Sequence, residues 1–335
     1  MKNELMNMSE ESLMERDADL REDASTIEDV LACLVRTEKK AVQQTIENVV
    51  FVMEHDLLMN RSIRKNELTG RMDVVKKMPW KRNGVSLMEA DGNQIRLYLE
   101  YNYSLTSERC ISIGMDVAEN KNSYHPIRDK LESLYWEGTS RIRFALHHFL
   151  GAEVSDYTEE VLCMHMLAGI SRVYEPGCKY DIALCLVGPQ GGGKSTFFRF
   201  LAIDDDWFTD DFRRLEDKRV FEKMNGHWIV ELSEMSATVN AKSIGETKAF
   251  ISRQRETYCM SYEKFAENHP RQCVFCGTSN DTSFLPFDRS GNRRFAPVEV
   301  NLAKTEVYPM DDEQESRNYF LVISNAECFK RRGVK

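Results

Sequence analysis

The sequence predicts an α/β fold, with a central, largely parallel sheet covered by helices and a mainly helical region in front of it. Three observations carry this expectation. Apolar runs at residues 182–187 and 273–277 lack polar alternation, as strands buried on both faces do. Stretches with helical spacing lie between such runs, the alternation that builds parallel sheets. Before Pro176-Gly177, helical periodicity dominates instead.

With 335 residues, 42% of them apolar, the chain is long enough for two domains and a sizeable core. A formal net charge of -9 excludes a strong global field pulling it onto nucleic acid or anionic membrane, while leaving room for local basic surfaces. The N-terminus, MKNELMNMSEESLMERDADL, carries charge where a signal peptide carries an apolar core. No later apolar run approaches the roughly 20 residues that span a bilayer. A soluble, cytoplasmic protein with no membrane partner is expected. Most of the nine cysteines sit in apolar runs, where a reduced thiol behaves as a small hydrophobe.

Residues 1–40 are acidic, and only Ile27, Val30, Leu31 and Leu34 offer a helical face, so a loosely ordered tail is expected. Residues 41–155 are expected to form the helical N-terminal domain. Ile46, Val49, Val50, Met53 and Leu57 have helical spacing, 66–77 is extended, and Pro79-Trp80 punctuates that segment. Further helical patterns run through 91–101, 108–118, 126–135, 140–150 and 157–173. The second domain, 156–303, contains strands at 182–187, 228–232, 273–277 and 295–300.

Gly188-Pro189-Gln190-Gly191-Gly192-Gly193-Lys194-Ser195, followed by Thr196, fits the phosphate-loop pattern GxxxxGK[ST]. Backbone N–H groups must close on phosphate oxygens, which side chains would obstruct, and the next helix presents its positive end. Lys194 is expected to reach the β- and γ-phosphates of ATP, and the Ser195 hydroxyl to ligate Mg²⁺. Bare Gly-rich turns match the pattern too. Here a buried strand precedes it and an apolar helical stretch, Phe197, Phe198, Phe200 and Leu201, follows, so a P-loop NTPase core is expected.

HWIVELSEM, 227–235, ends a strand in Glu231, at the carboxyl end where ligands of open α/β sheets collect, and Glu231 fits an acid that holds the magnesium. Glu234 either polarises the attacking water or is a solvated loop residue. The strand in RQCVFCGTSND leaves Thr278, Ser279 and Asn280 at its end, and Asn280 fits an amide that senses the γ-phosphate. Cys273 and Cys276 have metal-ligand spacing but no second Cys or His pair beside them, so core cysteines are expected. Arg293 and Arg294, after a Gly-Asn turn, suit either a finger on a neighbour's γ-phosphate or a surface pair.

Together, GPQGGGKST, WIVELSE, KAFISRQ, CVFCGTSN and SGNRRFAPV, in this order, resemble the virulence-associated protein E family, whose ATPase is similar to superfamily 3 helicases. The likeness extends upstream through PGCKYDIAL, HPIRDKLESLYWEG and MPW, covering roughly residues 45–300. It implies an AAA+ and superfamily 3 helicase-like ATPase of a prophage or mobile element, acting in DNA replication as a homo-oligomeric ring, a hexamer by resemblance. On that pattern Lys194 and Ser195 form the phosphate loop, Glu231 is the Walker B acid, Asn280 the sensor, and Arg293 or Arg294 the finger across a subunit interface. The family's pore hairpin corresponds to 258–272, where Lys264, Phe265 and His269 either offer a single DNA strand cations and rings or form a charged hairpin tip in solvent. Two features depart from the family. Cys259 stands where a basic residue is usual, and 304–335 does not resemble the usual helical continuation, so an atypical, shortened C-terminal segment is expected. The preferred reading is a DNA helicase-like motor. A nucleotide-binding regulatory or interference protein and a small-molecule P-loop kinase are the alternatives.

Overall fold

The computed structural model describes residues 26–136, 138–211, 220–233, 244–259, 266–281 and 292–322. Glu234, Lys264 and Phe265 lie outside these residues. The chain divides into two compact units, Met1–Pro126 and Ile127–Lys335.

In the first unit, α1 (Ile27–Cys33) starts at Thr26, whose hydroxyl accepts from the Asp29 amide as an N-cap. Within residues 26–40, expected to belong to a loose tail, α1 docks through Val30 and Leu34, only 1% and 4% exposed, while 35–40 are exposed. The short apolar face found in the sequence is enough to dock the helix. Next come α2 (Ile46–His55), the antiparallel ribbon β1 (Ile63–Lys65) and β2 (Met72–Val74), α3 (Glu89–Tyr103) and α4 (Glu108–Lys121). Helices α2 and α4 approach closely at Gly114, where a Cβ would come 2.5 Å from Val49 Cγ1. Buried Asp56 closes this core, accepting from the Tyr98 hydroxyl at 2.9 Å, the Tyr103 hydroxyl, and the Leu58 and Met59 amides. Four donors offset the cost of burying that carboxylate.

The second unit takes in α5 (Pro126–Glu132) from its second residue, then α6 (Ile142–Leu150) and α7 (Asp156–Tyr174), whose N-terminus is a capping box between Ser155 and Thr158. Periodicity grouped α6 with the helices before it, but an amphipathic pattern does not say which partner covers its apolar face. The remaining elements are β3 (Ala183–Val187), α8 (Lys194–Leu201), β4 (Phe208–Thr209), α9 (Val220–Met224), β5 (Ile229–Leu232), α10 (Ile244–Ser252), β6 (Arg255–Tyr258), β7 (Glu267–Pro270), β8 (Val274–Ser279), β9 (Phe295–Glu299) and α11 (Glu313–Val322).

Five of these strands form one parallel sheet in the order β4-β5-β8-β3-β9. Every residue of β3 and β8 is buried, which accounts for their unbroken apolar runs. Alternation places Cys185, Val187, Val230, Leu232 and Phe275 in one cluster with Val220 and Met224 of α9 and Phe250 and Ile251 of α10. Helix α7 packs against β3 and β8, and α8 against β4, β5 and β8. After β3 the chain crosses to the far edge, returns strand by strand to β8, and then places β9 on the other side of β3. The order reverses beside β3, where open sheets of this kind bind ligands at their carboxyl ends.

The amino end of the sheet is fastened by buried arginines. Arg172 of α7 donates to the carbonyls of Cys178, Tyr180 and Cys273. Arg271, its side chain 1% exposed, pairs with Glu256 and donates to the carbonyl of Phe250. It holds the base of the antiparallel ribbon β6–β7. Beyond β9, α11 packs on α8, with Phe320 buried against Phe149, Phe197 and Phe200. Among the described residues, no helix is long and apolar enough to cross a membrane.

Candidate functional site

Strand β3 delivers the chain to the carboxyl end of the sheet, where 188–193 turn back into α8. The loop is pinned at its start by the Gly188 amide, which donates to the Ser279 carbonyl of β8 at 3.0 Å. At its end Gly193 has φ 72°, a left-handed conformation that glycine adopts without steric cost, and it caps α8 with no side-chain hydrogen bond. The amides that open α8 therefore have no side-chain acceptor from their cap residue, and the helix dipole adds positive potential there.

Lys194, only 7% exposed, folds back over this loop. Its Nζ donates to the carbonyls of Gly188 and Pro189, both at 2.7 Å, and to Asn280 Oδ1 at 3.2 Å. Burial draws its pKa down, opposed by the charge of Glu231. The amide of Asn280 is thus linked to the lysine from the end of the neighbouring strand.

Glu231 is fully buried near the end of β5. Ser195 Oγ donates to its Oε1 at 2.8 Å and Thr278 Oγ1 donates to the same oxygen at 2.6 Å. Its Oε2 is buried with no hydrogen-bond partner among the described residues. Burial pushes the carboxyl pKa up, the hydroxyls of Thr278, Ser195 and Ser233 pull it down, and nearby Asp210 adds to the rise. A carboxylate oxygen left bare in a dry position costs free energy that a cation would recover. A serine hydroxyl and a bare carboxylate oxygen are hard ligands, which suit magnesium when water and phosphate complete its shell.

The structure thus joins Lys194, Ser195, Glu231 and Asn280 in one network. It adds Thr278 and Asp210, which the motif analysis left without a role. Register pairs Glu231 with Cys276, so Thr278, two residues further along β8, stands on the same face. An apolar strand closing on a threonine was the available signal, but strand pairing was needed to see its partner. Gly188 to Thr196 form the loop and the first residues of α8.

Other expected site residues lie elsewhere. Arg293 and Arg294 sit in a 3-10 turn, Asn292–Arg294, just before β9, and Phe295 pairs with Ala183, the first residue of β3. They are therefore at the amino end of the sheet, a five-residue strand from the loop, a separation of about 16 Å. Arg294 Nε donates to Ser252 Oγ at 2.8 Å and lies 3.6 Å from Asp181 Oδ2. Arg293 is exposed. In the β6–β7 ribbon the His269 ring stacks on Tyr258 with centroids 4.1 Å apart, and its Nε2 is buried without a partner among the described residues.

Residues 131–324, more than half of the chain, match the family model of the virulence-associated protein E-like domain, and the chain belongs to this family. Among solved structures, it is similar to two apo A-form structures of the C-terminal region of NrS-1. One, of residues 305–718, has TM-score 0.48 and 14% identity, covering 78% of this chain and 64% of that one. The other has TM-score 0.50 and 15% identity, with 79% and 66% covered. The chain thus spans just under two thirds of each NrS-1 chain it matches. No curated protein matches it.

Proposed function

We propose that this chain is a P-loop NTPase of the AAA+ and superfamily 3 helicase-like kind, an ATP-hydrolysing motor acting on DNA in the replication of a prophage or mobile element. The observation that carries the reading is the network at the carboxyl end of the sheet. A glycine loop, a buried lysine, a serine and an acid with one bare oxygen meet there, with the amide of Asn280 bonded to the lysine. The family of the chain supports the replication setting.

On this reading the loop amides and the N-terminus of α8 receive the phosphates, and Lys194 exchanges its three oxygen acceptors for β- and γ-phosphate oxygens. Ser195 and Glu231 would hold Mg²⁺, which when bound would neutralise charge developing on the phosphates. Asn280, already on Lys194, gains a γ-phosphate oxygen to contact. Glu234, three residues beyond Glu231, orients the attacking water. The position of Arg293 and Arg294 at the opposite end supports a site completed by a neighbouring copy, since neither spans the strand to its own loop. Arg294 is tied to Ser252 and Asp181, so the exposed Arg293 is assigned as the finger. Lys264 and Phe265, between β6 and β7, contact single-stranded DNA, with His269 stiffening the ribbon against Tyr258.

Phosphate release from ATP, with and without single-stranded DNA, tests this reading. DNA should raise turnover, and Lys194→Ala should lower it by about 10²–10³-fold, the scale for losing one transition-state donor. ATP binding without DNA-stimulated turnover in an oligomeric sample would overturn the motor and leave a nucleotide-binding protein.

A further inference from the structure

We infer that residues 300–310 form the nucleobase-binding edge of the nucleotide site, with the Tyr308 ring as the stacking platform. This rests on the phosphate-binding reading above and extends it to the other half of the ligand.

Sheet order sets the direction in which a nucleotide would lie. Asn280 and Glu231, the partners of Lys194 and Ser195, come from β8 and β5, on one side of β3. The terminal phosphate therefore belongs on that side. The nucleoside end leaves the loop on the other side, where β9 lies and continues into 300–310.

That segment follows the loop closely. The Val300 amide donates to the Val187 carbonyl at 2.7 Å. A Cβ at Gly192 would lie 3.0 Å from Leu302 Cδ2, and one at Gly193 would lie 3.3 Å from both Tyr308 Cε2 and Pro309 Cδ. Further along, the Arg199 guanidinium of α8 donates to the Met310 sulfur at 3.6 Å. Leu302, Tyr308 and Met310 are 40%, 36% and 43% exposed, so three large apolar side chains stand open beside a site whose own walls are polar. An aromatic face next to a phosphate cradle is what a base needs for stacking.

The segment is also held in place. The Asn301 amide donates to the Leu150 carbonyl, and the Glu306 and Val307 amides donate to the His148 carbonyl. Glu306 Oε2 lies 2.7 Å from His148 Nδ1. At Gly151 the approach is so close that a Cβ would lie 2.0 Å from the Asn301 carbonyl oxygen. A platform fixed before binding loses little side-chain freedom when a base arrives.

Calorimetric titration of the full chain with MgATP, and with magnesium tripolyphosphate as a probe lacking the base, tests the assignment. Tyr308→Ala should weaken ATP about tenfold while changing tripolyphosphate less than about twofold, and Tyr308→Phe should keep ATP affinity. Unchanged tripolyphosphate binding also shows that the variant is folded. Wild-type ATP affinity in Tyr308→Ala, or equal weakening of both probes, overturns this inference and leaves the phosphate site standing. Binding of neither probe to the unaltered chain overturns both.

Discussion

The two ends of the five-stranded sheet use their basic side chains in opposite ways. At the carboxyl end Lys194 is buried and satisfied by Gly188, Pro189 and Asn280, and the neighbouring Glu231 holds two hydroxyls. At the amino end Arg172 and Arg271 are buried on backbone carbonyls and on Glu256, Arg294 is tied to Ser252 and Asp181, and Arg293 stands exposed. One end is a polar network in which a single carboxylate oxygen, Glu231 Oε2, has no hydrogen-bond partner among the described residues. The other is a frame of buried arginines with Arg293 exposed at the start of β9. On the proposed function, such a chain would supply most of one site and a single piece of another.

The largest expected effect breaks the comparison at its displayed piece. Arg293→Ala should lower ATP turnover by about 10³-fold or more, the scale of a trans-acting arginine, while leaving the ATP dissociation constant near its original value. Phosphate release and calorimetry on the same sample check it, and unimpaired turnover would remove Arg293 from the mechanism.

The frame itself comes next. Arg271→Ala leaves Glu256 buried without its partner, which should cost about 3–5 kcal/mol in urea unfolding. Replacing both residues together with apolar ones should restore much of that loss.

A pH effect tests the layer that joins the two ends. His165 of α7 is completely buried, neither ring nitrogen has a partner among the described residues, and burial lowers its pKa to about 4. The unfolded histidine titrates near 6.5, so between these values the unfolded chain binds the extra proton. The contribution is fully present above about pH 6.5 and is lost as pH falls towards 4, an acid loss on the order of 3 kcal/mol. Unfolding midpoints across that range should show it, and His165→Leu should flatten the profile.

The smallest effect separates the two arginines. Arg294→Ala removes a hydrogen bond and a partly exposed ion pair, so it should cost about 1 kcal/mol of stability and little turnover. A large loss of turnover from Arg294→Ala with little from Arg293→Ala would reverse their roles.

The parts of this molecule legible in the sequence are local. Runs without polar residues marked β3 and β8 as doubly buried strands, and the glycines before Lys194 marked the turn that joins β3 to α8. What pairing decides was out of reach. Nothing near residue 278 says that its hydroxyl meets Glu231, and nothing near 293 says that β9 starts beside the beginning of β3. The two-residue strand β4 is too short for periodicity to mark. The segment at 300–310 was hidden for another reason: its apolar residues have no regular spacing, because they follow a loop rather than a helix face or a strand.

The central claim is that a site built at one end of the sheet is completed by an arginine from the opposite end of another copy. Mixing Lys194→Ala chains with Arg293→Ala chains tests it most directly, by following phosphate release from ATP as the ratio varies. Each variant alone should show only its strongly lowered turnover, and the mixture should regain turnover, because some interfaces then pair an intact loop with an intact arginine. Turnover that stays at the level of the separate variants at every ratio, in samples shown to exchange subunits, would contradict the account.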